Sequence, residues 1–237
     1  MLAFSSLLGN VEGQNIYRIW YDKPASYWEE ALPVGNGRIA AMVFGDPQLE
    51  QIQLNEETVS AGSPYQNYNE EAKTALPEMR RLIFEGKYEE AQNMAATKIL
   101  SQVGNEMPYQ TVGRLNIRYQ DHKKVNNYYR DLDISNAVAV TRYEVDGVEF
   151  TEETFASFTD QLVIRHIKAS KPGTINCELF FNTPMRDPKR SIYGKKGLRL
   201  EGITHGSRYF PGKVHYCADL DVKHKGGKVI TANDTLL

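Results

Sequence analysis

From residue 113 onward the chain alternates apolar and polar residues with a period of two, and glycine-bearing turns interrupt the alternation. Leu115, Ile117 and Tyr119 fall on one face of an extended segment and the residues between them on the other. Residues 137–145 and 148–158 flank Asp146-Gly147, a two-residue hairpin signal, because both positions accept a positive φ. Residues 162–169 and 174–181 follow, joined through Lys171-Pro172-Gly173. Residues 197–204, 214–223 and 228–232 complete the series, the last two joined through Gly226-Gly227. Near-regular strands separated by glycine turns point to an antiparallel sandwich rather than βαβ units.

The first half of the chain reads differently. Residues 17–21, 38–44 and 50–58 are strand candidates, with a turn-rich loop over 22–36. Next comes a helical region. Asn69 caps it, Glu70 and Glu71 sit where the helix dipole favours acids, and Pro77 restarts a helix at a position that needs no N–H. Leu76, Met79 and Ile83 share a face, and Gly86 ends the helix. A second helix spans about 87–100, with Tyr88, Ala91, Ala95 and Ile99 on one side. The fold class is therefore mainly β: a large antiparallel β-sandwich with an inserted helical hairpin around residues 69–100. Without repeats or linkers, residues 17–237 count as one domain. Residues 1–16 read either as the remnant of an export signal cleaved near Gly13 or as a disordered tail. The last five residues, Asn233 to Leu237, follow a strand with no closing element, which points to a fragment of something longer.

Composition excludes several functions. A net charge of −2 and a pI near 6.2 give no footprint for nucleic acid or an anionic membrane. No apolar run reaches the length of a membrane-spanning helix. The 2 cysteines, Cys177 and Cys217, share faces of opposite character, so both are read as free thiols. The 5 histidines lie outside any metal-binding spacing, so no metal and no cofactor is expected, and His166 is read as a core histidine. Neither a Gly-x-Ser-x-Gly elbow nor a phosphate-binding loop occurs. Adjacent glutamates occur at 29–30, 56–57, 70–71, 89–90 and 152–153. In a strand such neighbours point to opposite faces, so no dipeptide makes the carboxylate pair that glycoside hydrolysis uses. Of these, only Glu56-Glu57 ends a densely patterned strand.

Four pieces, in order, carry a resemblance. They are Trp28-Glu29-Glu30-Ala31-Leu32-Pro33-Val34-Gly35-Asn36-Gly37-Arg38; Ile52-Gln53-Leu54-Asn55-Glu56-Glu57-Thr58 with Gly62 and Pro64; Glu78-Met79-Arg80-Arg81-Leu82-Ile83 with Gly86-Lys87-Tyr88; and Met107-Pro108-Tyr109-Gln110 with Gly113. Together they resemble the N-terminal domain of glycoside hydrolase family 95, the α-L-fucosidase and α-L-galactosidase family. The resemblance implies a β-sandwich domain followed by an (α/α)6 barrel that holds the catalytic acid and the water-activating residues. That barrel is absent from this chain, so no catalytic residue is carried over. The implied partners are the catalytic barrel and fucosylated or related glycans. The implied location is periplasmic or secreted, and the implied role is an accessory domain, inactive alone.

Asn36, Arg38, Asn55, Glu56 and Thr58 are the candidate pocket-rim or interdomain residues. Their amide, hydroxyl and guanidinium groups suit sugars or a carboxylate, and turn structure explains them equally well. An apolar patch is expected where the barrel would sit. The chain departs from the family at Ser60, where the family usually carries Trp. The alternative reading is a self-standing carbohydrate-binding module with a platform drawn from Tyr65, Tyr68, Tyr128, Tyr129 and Tyr209.

Overall fold

The computed structural model describes residues 17–62, 66–101, 107–207 and 211–237. Residues 1–16, Tyr65 and Tyr209 lie outside the described residues, and with them the reading of the N-terminus and part of the tyrosine platform.

The described residues form three antiparallel sheets. The largest contains β2 (Leu32–Gly35), β3 (Ile39–Val43), β4 (Leu49–Glu56), β5 (Gly113–Tyr119), β10 (Cys177–Asn182), β14 (Thr231–Ala232) and β15 (Thr235–Leu236). Its strand order is β14-β15-β10-β5-β4-β3-β2. A five-stranded sheet joins β1 (Arg18–Tyr21), β6 (Val125–Asp133), β7 (Val138–Val145), β8 (Val148–Ser157) and β9 (Leu162–Ala169), in the order β1-β6-β7-β8-β9. A three-stranded sheet holds β11 (Arg186–Tyr193), β12 (Gly197–Ile203) and β13 (His215–Asp221). The five-stranded sheet covers one end of the inner face of the large sheet, through β8 and β9 against β2 and β3. The three-stranded sheet covers the other end, through β12 against β10 and β15.

The alternation read from the sequence sets which side chains enter the core. Ile52 on β4, Leu115 and Ile117 on β5 and Leu236 on β15 pack inward against Leu132 and Ala139 of the five-stranded sheet and Leu198 and Leu200 of the three-stranded one. Full burial of each Leu or Ile contributes about 1.5–3 kcal/mol. Asp146 (φ 48°) and Gly147 (φ 73°) close the β7–β8 hairpin as expected.

The helical hairpin lies between β4 and β5, which pair directly with each other. It consists of α1 (Ala72–Phe84), α2 (Tyr88–Met94) and a π-helical turn, Ala95–Ile99. Asn69 organises its start: Oδ1 accepts from Glu71 N–H at 3.0 Å, and Nδ2 donates to the carbonyls of Thr97 and Leu100. At the far end of α1, Gly86 N–H donates to Ile83 O and Lys87 N–H to Leu82 O, the paired bonds of a Schellman stop.

Several expectations need correction. Pro77 sits inside α1, not at a fresh start, and costs one i→i−4 bond on an exposed face. Ala75 and Leu82 are the buried positions of α1, whereas Ile83 is exposed; Tyr88 is exposed on α2, where Ala91 is buried. The loop over 22–36 contains a 3-10 turn (Trp28–Glu30) and the strand β2. β6 and β11 are further strands, which the sequence pattern does not mark. The last five residues do supply an element: the chain turns at Asn233-Asp234 and β15 inserts between β14 and β10, with Leu236 fully buried. His166 shares its face with Leu162 and Ile164, but that face is the outer one, and its ring lies 3.2 Å from Glu153. The buried histidine is His122, in the loop after β5.

Candidate functional site

Four of the five candidate residues meet at one end of the β3–β4 hairpin. Gly37 takes φ +91°, a value open to glycine, and turns the chain between β2 and β3. Asn36 fixes that turn: Oδ1 accepts from Arg38 N–H (3.1 Å) and Ile39 N–H (2.9 Å), while Nδ2 donates to Ser157 O on the facing sheet (2.8 Å). The turn presents Arg38, whose Nε donates to Glu56 Oε1 at 3.0 Å. The other oxygen of Glu56 accepts from Thr58 N–H (2.8 Å) and Thr58 Oγ1 (2.5 Å).

Glu56 is thus a fixed anion. Burial works against its charge, but hydrogen bonds from Thr58 and Arg38 outweigh it and hold the carboxyl below the usual range. Through these bonds Glu56 clamps the turn that carries Arg38 to the segment that carries Thr58. Asn55 does not join the cluster. It lies on the opposite face of β4, beside Ala40 in register, as a period of two dictates. Ser60 pairs with Tyr109 across an isolated bridge, which brings Tyr109 near the clamp; burial and then the charges of Glu56 and Glu57 raise its phenol.

A second group of charges lies away from this cluster, between two sheets. Glu50 on β4, Glu152 on β8 and Arg165 on β9 are buried between the large and five-stranded sheets. Arg165 Nη2 bonds both Glu50 Oε2, at 2.7 Å, and Glu152 Oε2; its Nη1 donates to Thr154 Oγ1. Tyr119 and Tyr143 both donate to Glu152 Oε1, at 2.6 and 2.7 Å. Gly45 N–H donates to Glu50 Oε1, and His122 Nδ1 donates to Pro47 O. Burial, reinforced by the charge of Glu152 and opposed by Arg165, pushes the Glu50 carboxyl up to about 7. Burial also opposes the charge of Arg165, but Glu152 and Glu50 hold its guanidinium above the ordinary arginine value. Parity offered a signal: Glu50 shares its face with Ile52, Glu152 with Phe150, and Arg165 with Val163 and Ile167. This network is a brace between the two sheets.

Neither of two surface hollows, each about 300 Å³, is lined by the clamp or the brace. Cys177 and Cys217 are free thiols, and burial raises the Cys177 thiol to about 11. Of the described platform residues, Tyr128 donates to Gly45 O, Tyr129 stacks on Trp20, and Tyr68 is exposed in the segment before α1. Among the described residues no helix is long and apolar enough to cross a membrane.

The family profile described as "Glycosyl hydrolase family 65, N-terminal domain" matches residues 19–237. Alpha-L-fucosidase 2 of Arabidopsis thaliana is 37% identical over 181 residues, covering 74% of this chain and 21% of that protein. Probable alpha-fucosidase A of Aspergillus oryzae is 25% identical over 211 residues, covering 84% of this chain and 28% of that protein. The Aspergillus niger protein of the same name is 26% identical over 162 residues, covering 64% and 20%. The chain therefore spans between 20% and 28% of the length of these relatives.

Proposed function

This chain belongs to the family of N-terminal domains of glycosyl hydrolase family 65 type, related to α-L-fucosidase, and from that premise we propose that it is the accessory β domain of an α-L-fucosidase-like glycosidase. It packs on a separate catalytic domain, the (α/α)6 barrel, and contributes the Asn36–Arg38 turn and the Glu56–Thr58 segment to the rim of the pocket. By itself it does not turn over substrate. The substrate of the whole protein is a fucosylated or related glycan, and its setting is periplasmic or secreted.

The observation that carries this reading is the fractional match: 74% of this chain aligns with only 21% of an α-L-fucosidase. The clamp supports it further. Its one ionised carboxylate is already engaged by Arg38 and Thr58, and inverting hydrolysis needs two carboxyl groups across a substrate. Exposed apolar groups supply a packing face for a second domain: Phe84 and Tyr88 at the tip of the helical hairpin are 88% and 69% exposed.

The test is hydrolysis of nitrophenyl α-L-fucoside by this chain alone. The expected result is release of nitrophenol no faster than the uncatalysed background. Turnover well above background that disappears in Glu56→Gln would overturn the proposal.

A further inference from the structure

We infer that the outer face of the seven-stranded sheet carries a second, non-catalytic subsite for a neutral pyranoside, in the hollow between the 25–28 loop and strands β4 and β5. The hollow has a volume of about 300 Å³ and is lined by Tyr27, Trp28, Phe44, Asp46, Gln51 and Arg114 together with smaller groups. The rim cluster lies elsewhere: Glu56 follows the inward parity of β4, whereas Gln51 follows the outward one.

Strand pairing and a loop make the hollow. Gln51 on β4 and Arg114 on β5 point outward from neighbouring strands, and Arg114 Nη1 donates to Gln51 Oε1 at 2.9 Å. The Arg114 guanidinium also lies over the Phe44 ring, 5.7 Å from its centroid, which fixes it as one wall. The loop is anchored by Ala25 N–H to Phe44 O at 2.9 Å and by Ser26 N–H to Glu30 Oε2 at 2.8 Å. It holds Tyr27 and Trp28 over the hollow, 58% and 49% exposed. Asp46 spends Oδ1 on the N–H groups of Gln48 and Leu49 and so is held in place. Its Oδ2, like Nε2 of Gln51, carries no hydrogen bond among the described residues.

These groups select a chemical class. Flat aromatic faces take the apolar face of a sugar ring, while a fixed carboxylate oxygen accepts from hydroxyls and an amide N–H donates to them. One carboxylate and one arginine leave the hollow without net charge, and one guanidinium N–H is committed to Gln51. A phosphate or carboxylate ligand would share the hollow with the Asp46 carboxylate, whose charge offsets that of Arg114, so a neutral polyhydroxyl ligand fits best. The choice of a saccharide rests on the glycosidase-family reading above; the site itself rests on the geometry. Binding by this chain alone and turnover are separate measurements, so either reading fails independently of the other.

The chain has 2 tryptophans, Trp20 and Trp28. Changing Trp20→Phe leaves Trp28 as a single reporter in the hollow. Titration with methyl α-L-fucoside or methyl β-D-galactoside is expected to change its emission saturably and to give saturation-transfer NMR signals on the sugar. Gln51→Ala removes one donor and the acceptor that holds Arg114 in the wall, and Asp46→Asn keeps Oδ1 while replacing the free oxygen. Each should weaken binding by about tenfold, with the unfolding transition unchanged. Absence of both the fluorescence change and the NMR signal with either sugar overturns the inference. So does binding that persists undiminished in both variants.

Discussion

The molecule uses the same chemical pair, arginine with glutamate, in two places for opposite ends. Between the sheets, Arg165 holds Glu50 and Glu152 out of reach of water. At the end of β3 and β4, Arg38 holds Glu56 where solvent touches both, with side chains 58% and 19% exposed. The buried trio carries charge at high desolvation cost, so removing one member leaves the others stranded. The exposed pair gains little Coulomb energy in water and loses little when broken. Charge alone therefore does not say what a pair is for; burial decides whether it is a brace or a presented surface.

The largest expected effect comes from breaking the brace. Arg165→Met leaves two buried carboxylates without their cation and should lower unfolding free energy by about 3–5 kcal/mol in urea titration. An effect below about 1 kcal/mol would mean that the carboxylates find other partners. Tyr143→Phe removes one of the two hydroxyl donors to Glu152 and should cost about 1–3 kcal/mol. Protection of Glu152 by Tyr119 alone would leave stability unchanged.

The two glutamates also respond to pH with opposite signs. Glu50 titrates higher in the fold than in the unfolded chain, whose value is near 4.5. The folded state therefore binds more protons than the unfolded one from about 4.5 to about 7, and the contribution of Glu50 is lost as pH rises through that window. Glu56 titrates lower in the fold, so its contribution is present above 4.5 and lost as pH falls. Urea titrations at several pH values should show Glu50→Gln gaining on the wild type between pH 4.5 and 7 and Glu56→Gln closing on it at lower pH. A constant gap in either series contradicts the assignment.

The smallest expected effect is that of Arg38→Ala, about 0.2–1 kcal/mol in thermal unfolding. A loss of several kcal/mol would make the rim a brace like the other and erase the contrast.

Much of the fold was legible because local signals agreed with tertiary ones. Asp146-Gly147 and Gly86 mark turns whose geometry needs those residues, and β9 ran from Leu162 to Ala169 as read. Strands hidden from the sequence carry residues that strands disfavour. β2 contains Pro33, tolerated because β2 is an edge strand. β11 holds Pro188 and a run of charges at the edge of its own sheet. β6 carries Asn126, Asn127, Arg130 and Asp131, and a bulge separates Asn126 from Tyr129. Its buried charges are paid in tertiary contacts: Arg130 donates to the carbonyls of Lys23 and Glu30, and Asp131 meets Arg18 and Arg142.

The candidate site was legible to the same degree. Asn36, Arg38, Glu56 and Thr58 came together because a single turn and a single strand pairing bring them there. Asn55, one residue of parity away from Glu56, faces the other side of β4. The Glu50–Arg165–Glu152 brace joins β4, β8 and β9, and no local pattern gives the order in which strands from two sheets face each other.

The contrast is tested most directly by turnover in a grafted enzyme, with residues 19–237 replacing the corresponding domain of the Arabidopsis relative. The account predicts that Arg38→Ala in that graft lowers kcat/KM for nitrophenyl α-L-fucoside by about tenfold or more, equivalent to about 1.4 kcal/mol, while thermal unfolding stays within a few degrees of the parent. Unchanged kcat/KM in the Arg38→Ala graft would contradict the claim that the exposed pair is presented to a catalytic partner.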